Sequence, residues 1–145
     1  NTNIIKLCDF GWCVELTKKV PKRTTVCGTY DYMSPEMIKE KAYDFSIDIW
    51  ALGVLLFEII HGYSPFGSNG EDYSTTFKNV LAEKFKIEKE VSNNCKDIIM
   101  KLLTFESKER IKINDVAKHP WLKDWNDDNN NLINNIIKPY FTILK

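Results

Sequence analysis

The sequence predicts a mainly helical domain packed around one buried central helix, with a single short strand ahead of it. From Ser46 to Gly62, apolar residues fall at 47, 49, 50, 52, 54–57, 59 and 60, on every face of a helical wheel. A helix apolar all round is buried on all sides or lies in lipid. This run is shorter than the ~20 residues that cross a bilayer, and it carries Asp48 and Glu58. Two further stretches, 71–83 and 92–104, repeat apolar residues at helical spacing. Only Ile4–Cys8 (IIKLC) has the short apolar run of a strand entering an interior.

A chain of 145 residues is enough for one domain with a sizeable core. Its formal net charge is zero with 28% charged residues, a balance that points to neither nucleic acid nor a membrane surface as partner. The four cysteines (Cys8, Cys13, Cys27, Cys95) have no CxxC spacing and no paired histidines, so reduced intracellular thiols are expected rather than a zinc site. The chain opens on Asn1 within strand-like residues and is expected to be a piece of something longer.

In order, the strand ends on Asp9-Phe10-Gly11. A carboxylate at a strand end beside a flexible Gly can hold a metal ion bridged to phosphate, although Asp-x-Gly is also an ordinary turn. Residues 15–25 (ELTKKVPKRTT) are polar and basic, as in an exposed loop, and place Lys22 and Arg23 before the hydroxyls Thr24 and Thr25. An irregular segment, Cys27–Ile38, follows, with Glu36 opening a short helix to about Lys41. Only two arginines stand against many lysines, and the second, Arg110, lies between helical patterns. An Arg where Lys is the usual choice suggests a bidentate carboxylate partner; a solvated loop Arg is the competing explanation.

For the central helix, Ser46 is the expected N-cap and Gly62 the stop, with Pro65 barring resumption. Asp48 either complements the helix dipole or, buried, clamps another backbone segment. Tyr63–Asn69 is a turn. In 92–104 the stripe Cys95, Ile98, Ile99, Leu102 and Leu103 faces inward. A short helix over Ile113–Lys118 leads into His119-Pro120-Trp121, with Trp121 closing the core and His119 packed at the helix end. Residues 126–145 form an Asn-rich tail that cannot bury enough to fold alone, its last apolar stretch Tyr140–Leu144 excepted if it docks back.

These residues resemble the C-terminal lobe of eukaryotic protein kinases. The likeness rests on ordered motifs over roughly the first 122 residues: Asp9-Phe10-Gly11, Cys27-Gly28-Thr29, Ser34-Pro35-Glu36 in place of APE, the D-x-W-x-x-G of Asp48, Trp50 and Gly53, and Arg110. Asp9-Phe10-Gly11-Trp12 and KRTTVCGTYDYMSPEMI over 22–38 are most similar to the Aurora serine/threonine kinases. Ser34 where those enzymes usually have Pro, and the Asn-rich tail, are the departures.

The resemblance implies a partial kinase domain over 1–125 and a tail over 126–145. It implies ATP and Mg²⁺ as cofactors, with Asp9 as Mg²⁺ ligand, and Phe10 packed inward beside Gly11. Cys8 would line the ATP pocket. Thr29 would line the site for the residue after the target hydroxyl, and Glu58 would attract a basic residue upstream of the target, a surface charge being the alternative. Glu36 with Arg110 would buttress the activation segment, Asp48 and Trp50 would be structural, and Thr25, with Thr24 as rival, would be the activating phosphosite. The implied partners are protein substrates basic upstream of Ser or Thr, and activator proteins. The implied location is the nucleus or cytoplasm, with spindle or centrosome by resemblance. The glycine-rich loop, the ATP-positioning Lys and the HRD catalytic loop are not among these residues, so the chain alone is expected to be inactive. A pseudokinase or non-catalytic interaction module of the same fold is the alternative, favoured by an upstream sequence lacking the HRD Asp or the ATP-site Lys.

Overall fold

The computed structural model describes residues 6–67 and 72–122. Five α-helices and a 3-10 turn account for the regular structure: the turn at Tyr30–Tyr32, α1 Pro35–Ile38, α2 Ser46–His61, α3 Tyr73–Leu81, α4 Asn93–Leu102 and α5 Ile113–Val116. Among the described residues the β structure is a single antiparallel bridge, Arg23 with Tyr43. The predicted helical class holds. The predicted strand does not over Lys6–Cys8, which is exposed and irregular, while Ile4 and Ile5 lie outside the described residues. A strand needs a neighbour for its amides and carbonyls, and no described segment pairs with this one.

Helix α2 is the centre. Trp50, Val54 and Phe57 enter one cluster with Phe66, Val80, Cys95, Ile99 and Leu103. Ile49 enters a second with Ile98, Leu102 and Val116, and Trp121 packs against both clusters. Each large side chain so buried contributes ~1.5–3 kcal/mol. The α4 stripe lies inward, as its periodicity requires, with Ser92 Oγ capping the helix by accepting from the Cys95 amide at 3.2 Å. Gly62 closes α2 in the left-handed region, at φ 85°, its amide donating to Glu58 O at 2.7 Å.

Two expectations for α2 fail. Ser46 is not the N-cap: Phe45 holds that position, and the Ser46 amide donates to Asp44 Oδ1 at 2.9 Å. Asp44, two residues ahead, satisfies the amide first, which frees the Ser46 hydroxyl to turn toward Glu36. Nor is the helix buried all round. Leu52, Leu55 and Ile59 are exposed, the last at 72%, because no described element covers that face.

Gly53 sets the approach of α2 to α4. A Cβ there would stand 2.8 Å from Leu102 Cβ and 2.8 Å from Leu103 Cδ2. Leu103 can rotate, but Leu102 Cβ is fixed to the α4 backbone, so the helices would have to part. Overpacking costs ~1–3 kcal/mol, against a gain of ~1 kcal/mol for Ala over Gly in a helix. Gly53→Ala is therefore expected to be a net loss of up to about 2 kcal/mol in denaturant unfolding. Residues 126–145, including Tyr140–Leu144, lie outside the described residues.

Candidate functional site

The two charged residues that the sequence places 74 positions apart meet in the interior. Arg110 Nη1 donates to Glu36 Oε1 at 2.8 Å and Nη2 to Glu36 Oε2 at 3.1 Å. The remaining three guanidinium protons go to backbone carbonyls: Nη1 to Ser46 O at 2.8 Å, Nε to Thr104 O at 2.9 Å and Nη2 to Phe105 O at 3.2 Å. All five donors of the guanidinium are used. Its Cζ also lies over the Trp50 ring, 5.1 Å from the centroid, a cation–π contact. With the Arg110 side chain at 0% exposure, water neither screens the pair nor replaces it.

The pair fixes a backbone. Met33–Met37 is buried throughout, and Pro35 at the first position of α1 supplies a helical φ where no amide partner is needed. The α1 end turns on Glu40, at φ 52°, with Glu40 N donating to Met37 O at 3.0 Å and Lys41 N to Glu36 O at 2.9 Å. That closes a helix end usually given to Gly.

Upstream, Thr24 and Thr25 are exposed. They follow the bridge at Arg23, where Arg23 N donates to Tyr43 O and Tyr43 N to Arg23 O, each at 2.8 Å. Tyr43 Oη then donates to Thr25 O at 2.5 Å. Burial, followed by the charge of Cys27, pushes the Tyr43 phenol up, so it stays a donor at neutral pH. The loop is thus tied at its end while Thr25 itself stays exposed. Reasoning from sequence missed Tyr43. An aromatic in the polar run KEKAYDFS was the available signal, but nothing in the spacing names its partner.

Thr29 is exposed and leads into the 3-10 turn. Tyr32, at the end of that turn, donates its hydroxyl to Glu58 Oε2. Burial first, then this bond and the Glu58 charge, push the Tyr32 pKa up to about 12. Glu58 is therefore not the simple surface charge of one expectation: it is half-buried and fixed in direction. This pairing too was invisible in sequence, since 26 residues separate the partners.

Asp9 stands apart from these groups. It has φ 59°, a left-handed conformation that Asp tolerates better than most residues. Among the described residues no side chain pairs with its carboxylate. Mg²⁺ takes one or two carboxylates, substrate phosphates and water, so one open carboxylate fits as this chain's share of such a site. No cluster of three or more metal-ligating side chains occurs among the described residues.

Phe10, expected to pack inward, is 59% exposed, because no described residue walls it in. Gly11 and Cys8 are likewise exposed. The Asp48 carboxylate accepts no hydrogen bond from a described residue. It lies toward the open side of α2, yet nearby protein atoms withdraw enough water to raise its carboxyl above the usual range. His119 is buried as a helix-end residue. Its Nε2 meets Asp97 Oδ2 at 2.8 Å, and its Nδ1 accepts from the Trp121 amide at 3.2 Å.

Residues 1–122 match the family model for the protein kinase domain. Over 120 residues the chain is 45% identical to an Aurora kinase of Saccharomyces cerevisiae, covering 83% of this chain and 32% of that protein. It is 38% identical to Aurora kinase C of Mus musculus, covering 83% and 42% of the respective chains. It is also 38% identical to the serine/threonine-protein kinase Aurora-2 of Arabidopsis thaliana, covering 81% and 41%. The chain spans about a third of the length of the yeast relative and somewhat more of the other two. The match runs from Asn1 through the Glu36–Arg110 pair to Leu122, and the chain belongs to the protein kinase domain family, as an Aurora-like segment of its C-terminal lobe.

Proposed function

We propose that the protein is an Aurora-type serine/threonine kinase, to which this chain contributes the DFG aspartate, the activation segment and the helical platform beneath it. The observation that carries this is the Glu36–Arg110 clamp, which holds the buried Met33–Met37 segment just beyond Thr29 and the phosphorylatable loop. MgATP supplies the transferable γ-phosphoryl group. The acceptor hydroxyl oxygen would bond to the γ-phosphorus and give its proton to the base of the catalytic loop, which is not among these residues, as the bond to the β–γ bridging oxygen breaks and ADP leaves. Such transfer depends on positioning and charge neutralisation. Asp9 would hold Mg²⁺. Thr29 would line the position of the residue after the target. Glu58, aimed by Tyr32, would receive a basic residue upstream of it on its second carboxylate oxygen. Phe10 would report the active or inactive state, Cys8 would line the ATP pocket, and Asp48 would clamp a catalytic-loop backbone. Protein substrates, activator proteins and an intracellular setting connected with cell division are supported by the likeness to Aurora kinases.

Thr25 is the proposed activating phosphosite. A phosphate there brings about −1.5 to −2 charges and strong acceptor oxygens. Arg23, two residues before it, is the nearest cation able to answer them with charge-assisted hydrogen bonds. Because Tyr43 already restrains the Thr25 carbonyl, ordering the segment costs less backbone entropy than in a free loop. The test is incubation of the full-length protein with MgATP, followed by phosphosite mapping and assay on a basic serine peptide. Phosphate is expected on Thr25, and Thr25→Val is expected to lower peptide phosphorylation by about tenfold or more, the effect of a conformational bias near 1.4 kcal/mol. Near-normal activity in Thr25→Val with loss in Thr24→Val would move the assignment to Thr24.

A further inference from the structure

Tyr43 alone supplies three hydrogen bonds to residues 23–25. Its backbone exchanges two with Arg23, and its phenol donates to Thr25 O at 2.5 Å. The bridge is isolated, with no strand extending it among the described residues. One residue therefore ties this end of the loop to the body, and only Thr24 stands between the two anchored positions.

Tyr43 is itself firmly placed. It is buried in the short link between α1 and α2. Ahead of it Lys41 N donates to Glu36 O, and behind it Ser46 O accepts from Arg110 Nη1, so the Glu36–Arg110 pair fixes both ends of the link. Arg23 is half-buried, whereas Lys22, Thr24, Thr25 and Val26 are exposed. Segments with few buried contacts are those that open locally at low cost. The phenol is thus the fixed point, and the loop is the part that lets go.

The acceptor is the Thr25 carbonyl and not the Thr25 hydroxyl. A phosphate on the hydroxyl leaves that carbonyl available, so the same bond can form before and after modification. What the bond restricts is access. Phosphoryl transfer needs the acceptor oxygen within about 3–3.5 Å of the reacting phosphorus, in a site that closes around the chain and expels water. Thr25 cannot enter such a site while its own carbonyl and the backbone of Arg23 remain on Tyr43.

We propose that the Tyr43 phenol is a latch on the activation segment, which must release before a second molecule phosphorylates Thr25 and which closes again afterwards. This rests on the kinase function and the Thr25 assignment proposed above. Tyr43 is a positioning residue: it touches neither ATP nor the transferred group, and it acts by setting how often residues 23–25 are free.

The test removes the phenol hydroxyl alone, by Tyr43→Phe in the full-length protein, which keeps the ring and the backbone bridge. Native-state digestion with trypsin needs no kinase activity, and its rate tracks the population of the open form. Cleavage after Lys22 or Arg23 is expected to run about fivefold faster in Tyr43→Phe, the scale of one net hydrogen bond. Cleavage after Lys101, within α4, reports unfolding of the whole domain and is expected to lag well behind in both proteins. The second arm uses Asp9→Asn protein as acceptor, with and without Tyr43→Phe, and phosphorylated wild-type protein with MgATP as the enzyme. Phosphate is expected on Thr25 about fivefold faster in the acceptor carrying Tyr43→Phe, again the effect of one hydrogen bond. An unchanged trypsin rate at the loop, cleavage there no faster than at Lys101, or equal or slower phosphorylation of the Tyr43→Phe acceptor would each overturn the latch. Failure of the kinase function reads differently: neither acceptor would gain phosphate, which sinks the regulatory claim with it, while faster trypsin cleavage would leave the contact as a structural tie.

Discussion

Arg110→Ala in the full-length protein is expected to cost on the order of 3–5 kcal/mol of stability, because it strands the buried Glu36 carboxylate. A buried ion pair is often replaceable by apolar residues at little cost, but this one differs in a way that can be tested. Three of the five guanidinium bonds go to the carbonyls of Ser46, Thr104 and Phe105. A double variant, Glu36→Leu with Arg110→Met, removes the stranded charge but leaves those carbonyls without their donor, so it should remain well below wild type. Arg110→Lys should also fall short, since an ammonium offers three donors to five acceptors. Chemical denaturation reads all three. A melt of Arg110→Ala within error of wild type would show that the pair does not hold the segment.

Asp9→Asn is expected to lower phosphotransfer by about 10²–10³-fold or more, the scale of removing one preorganised electrostatic contact to a transition state. The substitution is chosen for its backbone. Position 9 sits at φ 59°, which Asn adopts as readily as Asp. The variant therefore keeps the local conformation and loses only the charge that would hold Mg²⁺. Its unfolding midpoint should match wild type to within about 0.5 kcal/mol, as for an exposed site. Unreduced activity in Asp9→Asn would remove Asp9 from the metal role, and a large loss of stability would mean that the charge has a structural partner.

Helix α2 was legible because seventeen residues of near-unbroken hydrophobicity have few alternatives, and Gly62 marked its end through its own freedom at positive φ. The inward stripe of α4 followed from periodicity alone. What misled was local competition. Ser46 is an acceptable cap by type, but Asp44 reached its amide first. The apolar wheel of α2 gave no sign that Leu52, Leu55 and Ile59 would face solvent among the described residues, since hydropathy records preference and not which neighbours are present. Side-chain pairs divided in the same way. The rarity of Arg in a Lys-rich chain drew attention to Arg110, and Glu36 became its candidate partner through the family pattern. Tyr32 with Glu58, Tyr43 with Thr25 and His119 with Asp97 join common residues across long separations, and neither composition nor spacing marks them.

The most direct test of the proposed function is phosphoamino-acid analysis after the full-length protein has acted, with labelled MgATP, on two basic peptides that differ only in carrying Ser or Tyr as acceptor. The expected result is labelled phosphoserine from the first and no phosphotyrosine from the second, with the serine signal lost in Asp9→Asn. Label on tyrosine, or none on either peptide from a folded protein phosphorylated on Thr25, would contradict it.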